Sequence, residues 1–228
     1  MTVSEQALEL IHDGALVGLG SGRAATAFVE ALGQRVKAGL RVRGVPTSQA
    51  TADLATRLGV PLTPLEENMV LDLTVDGADE VDPQLDLIKG YGGALVREKI
   101  VAAAAKRLVI LVGSEKIVSV LGSRGILPVE VVPFGAAFCQ RRLRALGCQP
   151  KTRLVDGRVF ITDNGNHILD CGLAPIADAA ALDREILSIP GVVGTGLFVG
   201  MAHTVLIQDG KTVQARHRST LTRARNTD

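Results

Sequence analysis

Short apolar runs alternate along this chain with segments whose apolar residues recur at helical spacing. Residues 15–20 are an apolar run that fits a strand buried on both faces. Residues 24–38 then place Phe28, Leu32 and Val36, with Val29 beside them, on one helical stripe. The pattern continues as a strand over 40–45, a helix over 50–58, a strand over 70–75 and a short strand over 85–89. A strong helix is predicted over 92–106 and a strand over 107–112. An opening helix over 4–12 takes Ser4 as its N-cap. Strands separated by helices in this order predict an α/β fold with a Rossmann-like, doubly wound, mostly parallel sheet.

The pattern changes after Gly125. A strand over 129–132 and a helix over 138–146 precede strands over 149–154 and 159–162, with Asp156-Gly157 as a hairpin signal between them. Residues 167–171 read as an extension of the second strand past a turn at Asn164-Gly165. A helix over 182–187 and a strand over 192–198 complete a β-α-β-β-α-β order, the ferredoxin-like α+β plan. Strands over 204–208 and 211–215 predict a terminal hairpin that returns to the first sheet. The expected division is a Rossmann-like domain from 1–126 and 200–228, with a smaller ferredoxin-like domain over 127–199.

Composition sharpens this picture. With 46% hydrophobic residues in 228, a sizeable core is available, but aromatics are only 3% and Trp is absent. The core must be built from Ala, Val, Leu and Ile. The formal net charge of +1 gives no basic excess for a phosphate backbone, so no nucleic-acid partner is expected. Arg216-His217-Arg218, with Arg223 and Arg225, is locally basic and reads as a solvated tail or the wall of a small anion site. Cys139, Cys148 and Cys171 form no CxxC pair and read as small core residues of a reducing compartment. The opening MTVSEQALEL lacks the features of a signal peptide, and no apolar run approaches the roughly 18 to 20 residues of a membrane span. A soluble, cytoplasmic protein without a membrane partner is expected.

Three segments carry candidate chemistry. In "GLGSGRAAT", a third glycine at position 23 would complete a dinucleotide fingerprint, but Arg23 stands there. The acid expected about 20 residues further on is also missing. What remains is a strand-to-helix turn at Ser21, Gly22, Arg23 and Ala24. Its N–H groups and helix dipole suit a phosphate, or it is simply a tight turn. In residues 75–82, Asp76 ends an apolar strand, where ligands bind in open α/β sheets. Asp76, Asp79, Glu80 and Asp82 lack EF-hand spacing and read either as a ligand site or as a solvated acidic turn. In residues 89–100, Lys89 and a glycine run precede a helix that is apolar nearly all round, hence mostly buried, with Arg97, Glu98 and Lys99 in one turn. That turn is an internal ion pair, or it holds a carboxylate tuned as a general base by burial near cations. Lys89 is placed to face an oxyanion. Taken together, the segments fit proton transfer beside the carbonyl of a phosphorylated sugar, with no cofactor fingerprint and no metal cluster required.

The segments "DGADEVD", "LIKGYGGALVREKIVA" and "LPVEVVPFG", in this order and spacing, resemble the type A ribose-5-phosphate isomerases over nearly the whole chain. The resemblance implies interconversion of D-ribose 5-phosphate and D-ribulose 5-phosphate in the pentose phosphate pathway. It also implies a cofactor-free enediolate mechanism and a homo-oligomer, dimer or tetramer. It makes Glu98 the proton-shuttling base and gives Asp76 and Asp79 substrate hydroxyls. Lys89, with Gly90, Tyr91 and Gly92, would steady the oxyanion. Ser21, Gly22, Arg23, Ala24, Gly77, Ala78 and Lys116 would contact substrate. The chain departs from the family's usual Gly-x-Gly-Thr-Gly-Ser-Thr loop at Ser21, Arg23 and Ala24, and Tyr91 stands where glycine is usual. The altered loop motivates an alternative, a non-catalytic sugar-phosphate sensor. It also suggests that Arg23 replaces lost hydroxyl donors with a charged one.

Overall fold

In the computed structural model, which describes residues 1–218, the chain opens with α1 (Val3–Leu8), β1 (Ala15–Leu19), α2 (Arg23–Lys37), β2 (Val42–Pro46) and α3 (Gln49–Leu58). It continues through β3 (Leu73–Gly77), β4 (Glu80–Val81), β5 (Leu87–Ile88), α4 (Leu95–Ala103) and β6 (Leu108–Gly113). Next come β7 (Ile126–Val131), α5 (Ala136–Ala145), β8 (Gln149–Thr152), β9 (Leu154–Val155), β10 (Arg158–Val159) and β11 (His167–Gly172). The last elements are α6 (Ala179–Leu187), β12 (Val192–Thr195), β13 (Leu197–Phe198), β14 (Thr204–Asp209) and β15 (Thr212–His217).

The six-stranded sheet runs β15-β14-β6-β3-β1-β2 and is parallel except for the β14–β15 hairpin. The chain leaves β1 toward β2 on one side and returns to β3 on the other. That reversal opens a crevice beyond the carboxyl ends of β1 and β3, the place where such sheets bind ligands. Leu19, Leu73, Val75, Val109 and Leu111 pack with Phe28 and Leu32 of α2 in the main core. Burial on both faces is why these strands read as continuous apolar runs.

The second sheet runs β12-β7-β11-β8 and is antiparallel throughout, the strand order of the ferredoxin-like plan. Its inner face packs Leu127, Val129, Val131, Leu169 and Cys171 against Leu143 of α5 and Ile186 of α6. The three cysteines are buried and free. A small sheet, β13-β5-β4, joins the two bodies.

Several expectations change. Thr2, not Ser4, caps α1, through a capping box with Glu5, and the helix ends at Leu8. The helix expected over 92–106 starts only at Leu95, because Gly90 (φ 108°) and Gly93 (φ 87°) hold a left-handed turn before it. It is not buried all round, since Ile100 is 51% exposed. Residues 167–171 do not extend the hairpin. They form β11, a central strand set off by the turn in which Thr162 N–H reaches the Asn166 carbonyl. The run 192–198 is two strands, and β13 leaves the second sheet to pair with β5. Arg216 and His217 lie in β15, while Arg218 pairs with Asp86 and donates to the Leu85 and Ala202 carbonyls, so residues 216–218 lie at the end of an ordered strand rather than in a tail. Arg223 and Arg225 lie outside the described residues.

Candidate active site

The glycines of the first loop serve close packing. A Cβ on Gly20 would lie 2.2 Å from Asp76 Oδ1. Gly22, at φ 86°, is the N-cap of α2 and supplies no side-chain cap, so the first turn of a 15-residue helix opens onto the crevice without one. The Ser21 hydroxyl turns away into a cluster with Ser48 Oγ (2.7 Å) and Thr47 Oγ1 (2.8 Å). Arg23, exposed on the rim, is the first residue of the helix.

Under this loop sits a buried trio. Asp76 Oδ1 accepts the N–H groups of Ser21 (3.1 Å) and Gly77 (2.7 Å). Lys89 Nζ donates to the Gly77 carbonyl at 2.6 Å and lies 3.0 Å from Asp76 Oδ2 and 3.4 Å from Glu98 Oε2. Neither carboxylate oxygen is aligned for a hydrogen bond, so these contacts are charge attraction across short gaps. The Lys89 ammonium also lies 5.4 Å from the centroid of the buried Phe198 ring.

One buried cation cannot neutralise two buried anions. Burial, then the nearby Asp76 charge, pushes Glu98 up to about 8, against the pull of Lys89. Asp76 is also raised by burial, but two backbone N–H groups favour its charged form. The shared proton therefore rests on Glu98. Burial pulls Lys89 down, but the charges of Asp76 and Glu98 outweigh it and hold its pKa above the ordinary lysine value.

The trio backs a cavity of about 420 Å³. Ser21, Gly22, Arg23 and Ala24 line one side and Gly77, Ala78 and Asp79 another, with Lys89, Gly90, Gly92, Glu98 and Lys116 completing it. Two expected residues stand apart. Asp76, expected to meet a hydroxyl, is fully buried behind the loop and committed to Ser21, Gly77 and Lys89. Tyr91 sends its N–H to Asp79 Oδ2 (3.0 Å) and its hydroxyl to the Ile126 carbonyl (3.3 Å), away from the cavity. Sequence reasoning missed Leu111, Val112, Gly113 and Glu115 in the wall, although the end of an apolar parallel strand was a signal for them.

The other acids go to separate partners. Glu80 accepts the N–H groups of Gly122 and Arg124, both at 2.7 Å, and Asp82 those of Gln84 and Asp86. The turn Arg97-Glu98-Lys99 also splits. Arg97 reaches Asn164 Oδ1 (2.8 Å) and the Asp163 carbonyl, whereas Lys99 lies 3.9 Å from Asp183 and 4.9 Å from the Phe198 centroid. Only Glu98 of the three faces the cavity.

Fold and site together define a doubly wound α/β protein with a carboxylate–lysine–carboxylate cluster beneath an uncapped helix terminus, a layout suited to proton transfer on a small anion. Residues 43–212 match the family model for ribose 5-phosphate isomerase A (phosphoriboisomerase A), and the chain belongs to that family. It is 52% identical over 209 residues to the ribose-5-phosphate isomerase A of Gloeobacter violaceus, covering 91% of each chain. Among solved structures, the ribose 5-phosphate isomerase A of Methanocaldococcus jannaschii superposes with a TM-score of 0.90 at 40% identity, over 95% of this chain and 96% of that one. A D-ribose-5-phosphate isomerase in complex with phospho-erythronic acid superposes with a TM-score of 0.91 at 35% identity, over 94% and 96%.

Proposed function

We propose that this chain interconverts D-ribose 5-phosphate and D-ribulose 5-phosphate through an enediolate, with Glu98 as the general base. The observation that carries the reading is the placement of Glu98 on the cavity wall, buried, 3.4 Å from Lys89. In the aldose-to-ketose direction, Glu98 takes the proton from C2, the electron pair moves into a C1–C2 double bond, and the carbonyl oxygen becomes an enediolate oxygen. Lys89 stabilises the charge on that oxygen. The proton returns from Glu98 to C1, while the C2 hydroxyl passes its proton to the C1 oxygen, leaving a C2 carbonyl, a C1 hydroxyl and Glu98 ionised again. Asp79, half-buried on the cavity wall, takes a substrate hydroxyl, and Asp76 acts through Lys89 and the Ser21–Gly22 loop. Every proton in this sequence has a protein group or a substrate hydroxyl to carry it.

The phosphate is assigned to the first turn of α2, with Gly22, Arg23 and Ala24; Ser21, whose N–H and hydroxyl are taken by Asp76 and by Ser48 and Thr47, shapes the wall, and Lys116 closes the far side. One structural relative is in complex with phospho-erythronic acid, a phosphorylated sugar acid, and this supports a phosphorylated sugar as the substrate class here. Nothing in the comparisons favours a non-catalytic sensor.

The wider setting is part of the proposal: a place in the pentose phosphate pathway and a cytoplasmic location, supported by three free buried cysteines. No helix among the described residues is long and apolar enough to cross a membrane. We assign catalysis to 1–126 and 200–228 and a supporting role to 127–199. A homo-oligomer, dimer or tetramer, is supported by the exposed Phe134 and Ile100. The test is ketose formation from ribose 5-phosphate by purified protein. Glu98→Gln should lower kcat by about 10²–10⁴-fold with substrate binding retained. A variant turning over at the wild-type rate removes Glu98 from the role.

A further inference from the structure

We propose that Arg153, which directly follows β8 of the second sheet and lies outside the cavity, is a positioning residue that sets the two peptide planes of the active-site glycine run; this rests on the isomerase reading above. Arg153 lies between β8 and β9, and its side chain is only 12% exposed. Two of its donors hold Asp170 of β11, Nε to Oδ2 at 2.9 Å and Nη2 to Oδ1. That fork fixes the guanidinium plane and leaves Nη1 aimed across the domain boundary. Nη1 donates to the Gly90 carbonyl at 2.9 Å and the Tyr91 carbonyl at 3.1 Å.

The consequence follows from peptide planarity. In a trans peptide the carbonyl and the next N–H point in opposite directions. With Gly90 C=O drawn to Arg153, Tyr91 N–H points the other way, and there it meets Asp79 Oδ2 at 3.0 Å. With Tyr91 C=O drawn to Arg153, Gly92 N–H is turned away from the guanidinium, and Gly92 lines the cavity. Arg153 thus orients the groups that would hold substrate hydroxyls without touching substrate. The run needs such a hold. Gly90 and Gly93 sit at φ 108° and 87°, and the backbone between them takes no part in a helix or strand. Phe160 adds steric confinement, because a Cβ on Gly93 would lie 2.5 Å from its ring. Lys89 and Glu98 make none of these contacts, so the effect falls on substrate placement more than on proton transfer.

Tyr91 is the only tyrosine in a chain without tryptophan, so its fluorescence and phenol titration report this run alone. Burial, then the Asp79 charge, pushes the phenol up to about 12. In Arg153→Met, far-ultraviolet circular dichroism should be that of the wild type, while Tyr91 emission changes and its phenol titrates at lower pH. The KM for ribose 5-phosphate should rise about tenfold or more, with a smaller fall in kcat. Arg153→Lys, whose single ammonium cannot hold Asp170 and both carbonyls together, should recover part of that loss. If Arg153→Met does not fold, Asp170→Asn, which frees the guanidinium, supplies the same readouts with the same expected direction. Unchanged KM together with unchanged Tyr91 signals overturns the proposal. So does an activity loss that only tracks the unfolded fraction. A wild-type protein that does not isomerise ribose 5-phosphate would sink the isomerase reading instead, and the Tyr91 signals would still decide whether Arg153 holds the run.

Discussion

Asp76 and Glu98 share one buried cation: Lys89 Nζ lies 3.0 Å from the first and 3.4 Å from the second. Because Asp76 also accepts two backbone N–H groups, Glu98 holds the proton near neutrality and is raised to about 8. A general base works only when ionised. The kcat/KM profile should therefore rise with pH up to about 8 and level above it. A profile flat from pH 6 to 9 contradicts this assignment of the proton.

The same shift links to stability. The folded-state pKa of Glu98, about 8, lies above its unfolded value of 4.5, so the folded protein holds the proton more tightly. The stability this contributes is fully present below 4.5 and is lost as pH rises through 8. Glu98→Gln, which cannot ionise, should gain in melting temperature relative to wild type between pH 5 and pH 9. Paired thermal melts across that range check the sign.

Lys89→Met leaves two buried carboxylates without their cation. Removing one partner from a buried ion cluster costs about 3–5 kcal/mol. The loss should be larger at pH 8 than at pH 5, where the raised carboxylates take up protons instead. Urea unfolding at both pH values measures it.

Arg23 stands exposed on the cavity rim at the start of α2, and among the described residues no carboxylate pairs with it. Arg23→Ala should raise KM for the phosphosugar about three- to tenfold, as for one solvent-screened, charge-assisted contact, with kcat nearly unchanged. The difference should shrink at high salt. An unchanged KM at low salt assigns the phosphate to the backbone N–H groups alone.

Gly20 and Gly22 should separate two reasons for glycine. A Cβ on Gly20 meets the Asp76 carboxylate at 2.2 Å and its Cα at 2.6 Å, so Gly20→Ala should displace Asp76 and abolish activity. Gly22 has open space around it but sits at φ 86° and ψ 179°, a backbone region essentially confined to glycine, so Gly22→Ala should cost about 1–3 kcal/mol of stability without displacing Asp76. Denaturation and activity measured on both variants distinguish the cases.

Local rules carried the sequence reading furthest where neighbours along the chain decide the structure. The runs at β1 and β6 are apolar because both sheet faces are covered, and the Asp156-Gly157 turn forms because both residues accept positive φ (50° and 75°). The reading failed where distant contacts decide. The start of α4 was obscured because Gly92, Gly93 and Ala94 do not interrupt a helical pattern by themselves. β11 was hidden because its role depends on pairing with β7 and β8. Glu98 stood out as the acid of an apolar helix, but nothing local showed that Arg97 and Lys99 turn to other partners.

The sequence by itself determined the alternation of strands and helices, the glycine turn at the end of β1, and the residue types available for proton transfer. These depend on periodicity and on turn chemistry over a few residues. Tertiary structure alone decided that Asp76 lies beneath a loop 55 residues away, that one lysine serves two carboxylates, and that Arg153 holds a carbonyl 63 residues distant. Charge sharing, burial and peptide orientation arise between groups the chain brings together only by folding, so no local pattern encodes them.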